Sequence, residues 1–429
     1  MMFRAFTLST LVCLFTLSNA VQAEDWTSWR GPAGDGTVEK GDYAVEWSAD
    51  KNLSWSIDLP SRAGSTPVVV GNKIVLTATI DTQNGILCYD QAGKELWRQT
   101  IGNVKAGKHK KASGSNPSPV TDGKHVFVYY KSGDFAALDL SGDIVWQNNL
   151  QQAYGEDTLW WDLGTSPVLT KEHVVVACMQ SLPSPSYLAA FNKMTGEEVW
   201  RVERETGAPE EAAQSYSTPV VTEFEGEEQI VVLGADFVTC HSAKDGKELW
   251  KVGTLNPDQE RYFRSIASPV IIDGIVIAPY ARGNTLTAIK MGGKGDVTKS
   301  HVLWTKTGLS SDVPTPTAQD GKVYLCTDKG TVACLEAKTG NEVWQTETPK
   351  HRLKFSASPV LAGDLLYLLR EDATCFVVNT KEQKIVATNK LGDDEFVVST
   401  PVLTNGQILV RTFEHLYNIG GKSSKVSLR

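Results

Sequence analysis

The side chains in this sequence best suited to binding chemistry are aromatic and charged residues that stand next to one another. Trp160, Trp161 and Asp162 are consecutive, and Tyr262 lies two residues before Arg264. Such side chains can stack on a planar group and donate charge-assisted hydrogen bonds to an anion. They are also enriched at the energetic centres of protein–protein interfaces. The candidate ligand- or partner-binding residues are Arg62, Trp160, Trp161, Asp162, Tyr216, Tyr262, Arg264, Arg352 and Lys354.

The sequence lacks the common motifs of catalytic and metal-binding sites. The sequence contains no G-x-S-x-G nucleophile motif, no H-E-x-x-H zinc motif and no phosphate-binding glycine loop. The seven histidines form no pair at ligand spacing, and no Cys-x-x-Cys occurs. We therefore assign no catalytic residue, predict no metal and predict no cofactor.

A repeated phrase provides the scaffold for the candidate residues. Residues 190–200 read A-F-N-K-M-T-G-E-E-V-W, which indicates a strand, a turn with a glycine, and a second strand that ends in tryptophan. Repetition at intervals of about 40 to 50 residues, with short β-rich units, is typical of a β-propeller. Further copies lie at residues 88–97, 137–146, 240–250, 288–304, 334–344 and 377–387.

A Ser/Thr-Pro pair precedes each phrase and sets the number of blades. Between one such proline and the next tryptophan there is room for four short strands, which form one blade. The eighth copy supplies only three strands, and the segment around Trp55, before the first Ser/Thr-Pro pair, supplies the fourth. Joining them closes the ring and removes a free sheet edge. The prolines are Pro67, Pro119, Pro167, Pro219, Pro269, Pro316, Pro359 and Pro401.

The predicted fold is therefore all-β: an eight-bladed propeller over residues 51–420, with a tail at 421–429. In such a ring, the loops entering the innermost strands gather at one end of the central channel, which we call the loop face. Function on propellers usually resides in these loops. Besides the candidates above, they carry His109, Lys110, Lys111, Tyr154, Arg261, Asp312, His351 and Glu395.

Residues 1–23 have the pattern of a secretory signal peptide. Arg4 precedes an apolar run that is too short to span a bilayer, and small residues precede a cleavage site after Ala23. The mature protein is thus expected to be secreted or periplasmic, without a transmembrane segment. Residues 24–50 form an N-terminal extension, expected to lie along the propeller surface. The alternative is an arm that covers the central opening.

The net charge argues against a nucleic-acid partner, and the positions of the cysteines indicate how they are used. Without Arg4, 41 Lys and Arg stand against 50 Asp and Glu, so the mature chain is acidic and lacks the electrostatic footprint of a nucleic-acid-binding protein. Cys88, Cys240 and Cys334 occupy a repeat position that holds alanine in other copies, which indicates buried packing residues. Disulfide pairing remains an alternative, as is usual in an oxidising compartment.

The repeated phrase resembles the tryptophan-docking repeat of the pyrroloquinoline quinone (PQQ)-like propellers. This superfamily includes BamB-like assembly propellers and quinoprotein alcohol dehydrogenases, and the resemblance covers roughly residues 51–420. The W-x-x-W-R-G-P segment at 26–32 and the insertion at 292–298 resemble secreted members of planctomycete type. The resemblance implies that tryptophans pack against the neighbouring blade, namely Trp55, Trp97, Trp146, Trp200, Trp250, Trp304 and Trp344. Blade seven has Gln383 and Ala387 instead of the glycine and tryptophan, so its seam is expected to pack less tightly.

The leading functional hypothesis is a noncatalytic scaffold of the cell envelope that binds a protein, a peptide or an envelope ligand through the loop face. The alternative implied by the resemblance is a PQQ-dependent oxidoreductase with quinone and calcium. Against it, the chain has no vicinal Cys-Cys pair and no assignable set of acidic metal ligands. The sequence leaves the oligomeric state open.

Overall fold

The structure is a computed structural model that describes residues 25–420. The predicted signal peptide, its cleavage site after Ala23 and the tail at 421–429 lie outside the described residues. Eight sheets surround a central channel, and in each sheet four strands run antiparallel from the channel outward. The predicted eight-bladed propeller is confirmed.

The strands of the first four blades begin at the channel and follow one another along the chain. Blade four gains a fifth, outermost strand, Gly295–Asp296, which comes from the insertion at 292–298 and pairs parallel to its last strand. In order, the blades comprise Val68–Val70, Lys73–Ile80, Gln83–Asp90 and Glu95–Asn103; Val120–Thr121, His125–Tyr129, Asp134–Asp139 and Ile144–Asn149; Val168–Leu169, His173–Cys178, Tyr187–Asn192 and Glu198–Glu203; Val220–Phe224, Glu227–Gly234, Phe237–Ser242 and Glu248–Val252.

The last four blades follow the same plan, and blade eight takes its outer strand from the N-terminal part of the chain. In that outer strand Trp55 lies opposite Asn418 and Asp58 opposite His415, so the predicted closure is confirmed. The blades comprise Val270–Ile272, Ile275–Tyr280, Thr285–Lys290 and Val302–Thr307; Thr317–Gln319, Lys322–Cys326, Thr331–Glu336 and Glu342–Glu347; Val360–Ala362, Leu365–Leu369, Thr374–Asn379 and Lys384–Lys390; Val402–Thr404, Gln407–Arg411, His415–Gly420 and Leu53–Asp58.

Helices are short and lie in the connections: Leu150–Tyr154 and Thr298–His301 are α-helical, and Glu210–Ala213 and Ala281–Gly283 are 3₁₀ turns. Over residues 25–420, no helix is both long and apolar enough to cross a membrane. The six cysteines of this part of the chain are buried and unpaired.

The Ser/Thr-Pro pairs connect neighbouring blades through a ring of hydrogen bonds. Seven of the eight hydroxyls before the prolines accept a hydrogen bond from the equivalent backbone N–H of the preceding blade. Seven such bonds are Thr66 to Ser118 (2.9 Å), Ser118 to Ser166 (2.9 Å), Ser166 to Thr218 (3.0 Å), Thr218 to Ser268 (2.8 Å), Ser268 to Thr315 (2.8 Å), Thr315 to Ser358 (2.9 Å) and Thr400 to Thr66 (3.0 Å). The remaining hydroxyl, that of Thr400, accepts a hydrogen bond from the Trp29 indole at 3.1 Å.

Breaking one bond of this ring is expected to destabilise the protein. Thr218→Val removes the acceptor of the buried Ser166 N–H and should lower the free energy of unfolding by about 1–3 kcal/mol, because that donor then has no partner. Thr218→Ser keeps the acceptor and is the matched control. Urea unfolding of both variants measures the difference, and equal stability of the two would contradict a role for the ring.

The indoles of the repeat pack against the turn of the following blade. Five of them donate a hydrogen bond to a turn carbonyl there: Trp55 to Gln91 (2.9 Å), Trp97 to Leu140 (3.1 Å), Trp146 to Lys193 (2.8 Å), Trp200 to Ala243 (3.3 Å) and Trp304 to Ala337 (2.9 Å). A Cβ atom on Gly196 would lie 2.5 Å from the Trp146 ring, and one on Gly246 2.5 Å from the Trp200 ring. The turn glycine is therefore needed for this close approach as well as for its positive φ.

The N-terminal extension follows a different path from the one expected. Residues 26–38 cross the end of the channel opposite the loop face, so the alternative, an arm over the opening, describes this part. Trp26 pairs with Val69 of blade one, and residues Thr37–Val38 add in parallel to the inner strand of blade seven. The Arg30 guanidinium, which is buried, donates to the carbonyls of Pro359 (2.9 Å) and Pro316 (3.1 Å). The inner strands offer unpaired backbone groups to the arm, which explains this path.

The same extension also changes the expected packing of blade seven. Trp47 stacks on Tyr367 with ring centroids 6.5 Å apart, and both side chains are buried. The Asn389 side chain accepts from Trp47 N–H and donates to the Val45 carbonyl, both at 2.9 Å. Residues 43–47 thus supply an aromatic side chain beside the strand where Ala387 replaces tryptophan, which the expectation of a loose seam did not take into account.

Candidate functional site

A cavity of about 370 Å³ lies on the propeller axis at the loop face. One repeat position, three residues before each proline, contributes a lining residue from every blade. Trp29 of the N-terminal arm and several hydroxyls of the Ser/Thr ring also line the cavity. The eight equivalent lining residues are Gly64, Asn116, Gly164, Tyr216, Ile266, Val313, Ser356 and Val398.

Three cations of the cavity wall are each paired with a carboxylate of the same chain. Arg264 forms a two-pronged pair with Asp312, at 2.8 and 3.0 Å. Arg282 donates to Glu211 at 2.9 Å, and Lys111 to Glu371 at 2.6 Å. These pairs fix the shape of the wall and leave little unbalanced charge inside the cavity.

Glu211 is the buried centre of one side of this wall. Its two carboxylate oxygens accept from the Trp161 indole (2.9 Å) and from Arg282 (2.9 Å), while Arg264 Nε lies 3.7 Å away. Arg282 has φ 52°, a left-handed conformation that non-glycine residues adopt infrequently. This conformation brings its guanidinium to both Glu211 and the Tyr262 carbonyl (2.7 Å).

Asp162 holds the loop on the other side of the cavity. It accepts hydrogen bonds from the backbone N–H groups of Lys108 and His109, each at 2.8 Å, and forms a buried ion pair with Lys131. The His109 ring meets the Trp161 ring edge-on, with centroids 5.8 Å apart. Because its oxygens are occupied in this way, Asp162 positions the loop rather than facing a ligand as a free charge.

Three exposed aromatic side chains form an aromatic patch beside the cavity mouth: Trp160, Trp161 and Tyr262. Trp160 and Trp161 are each 45% exposed and Tyr262 is 51% exposed. The Trp160 and Tyr262 rings lie 6.4 Å apart. Large apolar side chains that remain exposed together are a mark of interaction sites.

Buried polar groups hold the backbone of Trp160 and Trp161 in place. The Trp160 N–H donates to the side-chain oxygen of Gln214 (2.9 Å), and the Trp161 N–H donates to the Tyr216 hydroxyl (3.2 Å). Tyr216 in turn donates to Gln214 (2.8 Å), and both are buried. The two indoles therefore extend from a fixed backbone.

The candidate residues from the sequence occupy three zones. Trp161, Asp162, Tyr216 and Arg264 line the cavity, whereas Trp160 and Tyr262 belong to the adjoining patch. The others are exposed on the far side of the mouth, and we call Arg62, Lys110, Arg352 and Lys354 the basic lip. Sequence reasoning missed Glu211, Arg282, Glu371 and Trp29 as parts of the site. Counting three residues back from each proline would have found the eight-membered lining.

Asp328 lies behind the cavity wall and makes the stability of the folded protein dependent on pH. Its Oδ2 accepts from the Asp312 N–H at 2.7 Å, and burial raises the pKa of Asp328 to about 6. An acid whose pKa is higher in the folded than in the unfolded state takes up a proton on folding. Its charged form therefore reduces stability progressively as pH rises from about 4 to about 6.

Asp328→Asn is accordingly expected to stabilise the protein at neutral pH. The gain in unfolding free energy should be on the order of 2 kcal/mol near pH ~7.5 and much smaller near pH ~4.5, since the amide can still accept from Asp312 N–H. Denaturant titrations at the two pH values measure it. A gain that is independent of pH would contradict this account.

The groups around the cavity do not match the quinone and calcium site that a dehydrogenase would require. Glu211, Asp312 and Glu371 are each engaged by a cation of the chain itself. Across residues 25–420, no three His, Cys, Asp or Glu side chains come together in a way that could hold a metal ion. No residue of the described chain is therefore assigned to quinone or calcium.

The sequence matches one protein family over most of its length. The family model described as outer membrane protein assembly factor BamB matches residues 82–346 and 328–424. The chain is 23% identical to BamB of Yersinia pestis over 329 residues, which is 74% of this chain and 75% of that protein.

Solved structures agree on the fold. BamB from Moraxella catarrhalis superposes with a TM-score of 0.60 at 14% identity, over 86% of this chain and 99% of that one. A europium-containing methanol dehydrogenase superposes with a TM-score of 0.69 at 11% identity, over 93% and 98%. At such identities the likeness concerns the fold alone. Because the family model spans most of the sequence, the chain belongs to the family of the outer membrane protein assembly factor BamB, within the PQQ-like propellers.

Proposed function

We propose that this chain is a noncatalytic propeller of the cell envelope that binds a partner protein through its loop face. The aromatic patch provides the main contact, and the cavity receives a side chain of the partner. The observation that carries the proposal is the pair of exposed, adjacent tryptophans whose backbone is fixed by buried Gln214 and Tyr216. Anchors ordered before binding lose little conformational entropy when the partner arrives.

Two observations support a location in the cell envelope. The sequence of residues 1–23 is typical of a secretory signal, and the matching family model is described as an outer membrane protein assembly factor. A periplasmic or secreted position therefore agrees with a partner in the envelope. A protein partner also suits the composition of the patch, because Trp and Tyr are enriched at binding hot spots.

Site-specific photo-crosslinking tests the proposal in the native envelope. A benzophenone amino acid in place of Tyr262 is expected to give one discrete protein adduct, which excess unlabelled wild-type protein should suppress. The same probe in place of Met194, which is 57% exposed at the opposite end of the ring, is the control and should give none. An adduct pattern shared by both positions, or none from position 262, would count against the proposal.

A separate titration tests the alternative that the protein is a PQQ-dependent oxidoreductase. Titration of the purified protein with PQQ and calcium should leave the quinone absorbance unchanged and should not support dye reduction with alcohols. Dye reduction above the level of free quinone would overturn the noncatalytic assignment.

A further inference from the structure

The loop face carries four exposed cations that form no ion pair with the described residues. Within residues 25–420, the four exposed side chains of the basic lip have no carboxylate oxygen within 4.0 Å, and only Arg62 makes a side-chain hydrogen bond, to the Lys110 carbonyl at 3.5 Å. Elsewhere on the ring, some exposed cations are paired, such as Lys171 with Glu223 at 2.7 Å and Lys381 with Asp364 at 2.8 Å. Others, such as Lys94 and Lys244, have no carboxylate oxygen of the described residues within 4.0 Å, so the lip differs by its location rather than by the lack of partners. Unpaired cations gathered at the mouth of a cavity are notable on a chain with a formal charge of −8.

Specific contacts bring the basic lip together from three parts of the chain. The contact of Arg62 with the Lys110 carbonyl joins the loops that enter blades one and two. Lys111 pairs with Glu371, whose other oxygen accepts from the Lys354 N–H at 3.3 Å. Glu371 is buried, so it links these loops without presenting its own charge to the solvent.

The lip and the aromatic patch are parts of one surface. His109 precedes Lys110 of the lip, and its ring contacts Trp161 of the patch. Asp162, which follows Trp161 in the chain, accepts from the His109 N–H and thereby fixes the distance between the two zones. A partner seated on the indoles therefore also faces the cations.

From this juxtaposition we infer that the partner is recognised through an extended acidic segment of its polypeptide chain. One of its aromatic or aliphatic side chains packs on the aromatic patch, and neighbouring Asp or Glu side chains meet the basic lip. This inference rests on the proposed function and names the chemistry of the partner. Arg and Lys at an exposed rim accelerate association and select by charge, and such effects weaken as salt rises.

A pair of synthetic peptides provides the probe. Both are fluorescein-labelled and share one tryptophan and one phenylalanine, and they differ only in carrying several glutamates or the same number of lysines. Fluorescence anisotropy with the full-length mature protein should show binding of the acidic peptide at least about tenfold tighter than of the basic one at low salt. This preference should largely disappear near ~0.5 M salt. Equal binding of both peptides, or no binding of the acidic one, would overturn the inference.

Charge reversal identifies the surface. The variant Arg62→Glu/Lys110→Glu/Arg352→Glu/Lys354→Glu should lose at least about tenfold in affinity for the acidic peptide. The control Lys94→Glu/Lys244→Glu/Lys299→Glu/Lys338→Glu changes the net charge equally at exposed sites away from the loop face and should retain the affinity. Equal losses in both variants would mean that net charge, not the lip, is responsible. Preferential binding to anionic phospholipid vesicles over the acidic peptide would also overturn the inference.

The same variants separate this inference from the proposed function. If charge reversal leaves the native crosslink from position 262 intact, the partner-binding function stands and recognition of an acidic segment fails. If no crosslink forms from position 262 in the wild-type protein, the proposed function itself fails.

Discussion

Partner capture is expected to fall by at least about 30-fold when Trp160 and Tyr262 are both replaced by alanine, which corresponds to about 2 kcal/mol. The two rings contact each other and are roughly half exposed in the free protein, so a partner would bury area that the fold leaves open. Truncation removes this area from the centre of the proposed interface.

The same substitutions should leave stability nearly unchanged. Neither ring fills the core, and the hydrogen bond that fixes this segment is made by the Trp160 backbone N–H, which the variant keeps. Thermal unfolding and quantitative pull-down from solubilised envelope measure both quantities on the same samples. Met194→Ala removes a side chain of similar exposure at the opposite end of the ring and should alter neither. Undiminished capture by the double variant would remove the aromatic patch as the binding site.

Trp250→Ala is expected to cost about 3–5 kcal/mol of unfolding free energy, the largest effect we predict on stability. Its indole is 1% exposed and packs in the cluster between blades four and five with Val276 and Ile289. Truncation leaves a cavity that stacked sheets cannot close. Trp160→Ala removes the same side chain from an exposed position and is the control.

The hydrogen-bonding role of the indole can be measured separately. The Trp250 indole N–H is buried without a hydrogen-bond partner among the described residues, whereas that of Trp146 donates to the Lys193 carbonyl. Trp146→Phe should therefore lose about 1 kcal/mol more than Trp250→Phe, since only the first substitution breaks a bond. Chemical denaturation of the two variants compares them. An equal loss would show that packing alone determines the contribution of the indoles.

The architecture could be predicted because its signals are local and repeated. Each Ser/Thr-Pro pair recurs once per blade and makes the same contact with the neighbouring blade, so eight copies indicate eight blades. Trp55 showed where the ring closes, since a strand with a docking tryptophan stood before the first repeat. The path of residues 26–47 was not predictable in this way, because that segment occurs once and several of its partners lie far along the chain, as in the contact of Arg30 with Pro359.

The candidate site was predictable only in part, because residue type reveals some of its members and not others. Trp160, Trp161 and Tyr262 were identified by residue type, since large aromatic side chains in loops suggest binding. Glu211 and Glu371 were missed because nothing in the sequence distinguishes them from the other members of a set of 50 acidic residues. Their importance comes from burial and from the cations that surround them.

The sequence by itself determined an all-β ring of eight blades, seven of them with a docking tryptophan, closed by its N-terminal strand and with its variable residues at one end. These features depend on short-range periodicity and on the intrinsic conformational preferences of Gly, Pro and Trp. The tertiary structure alone decided which charges are paired inside the cavity and which remain free on the basic lip, and how the arm crosses the far end of the channel. Those features depend on distances between residues of different blades, and such distances are set only when the ring closes.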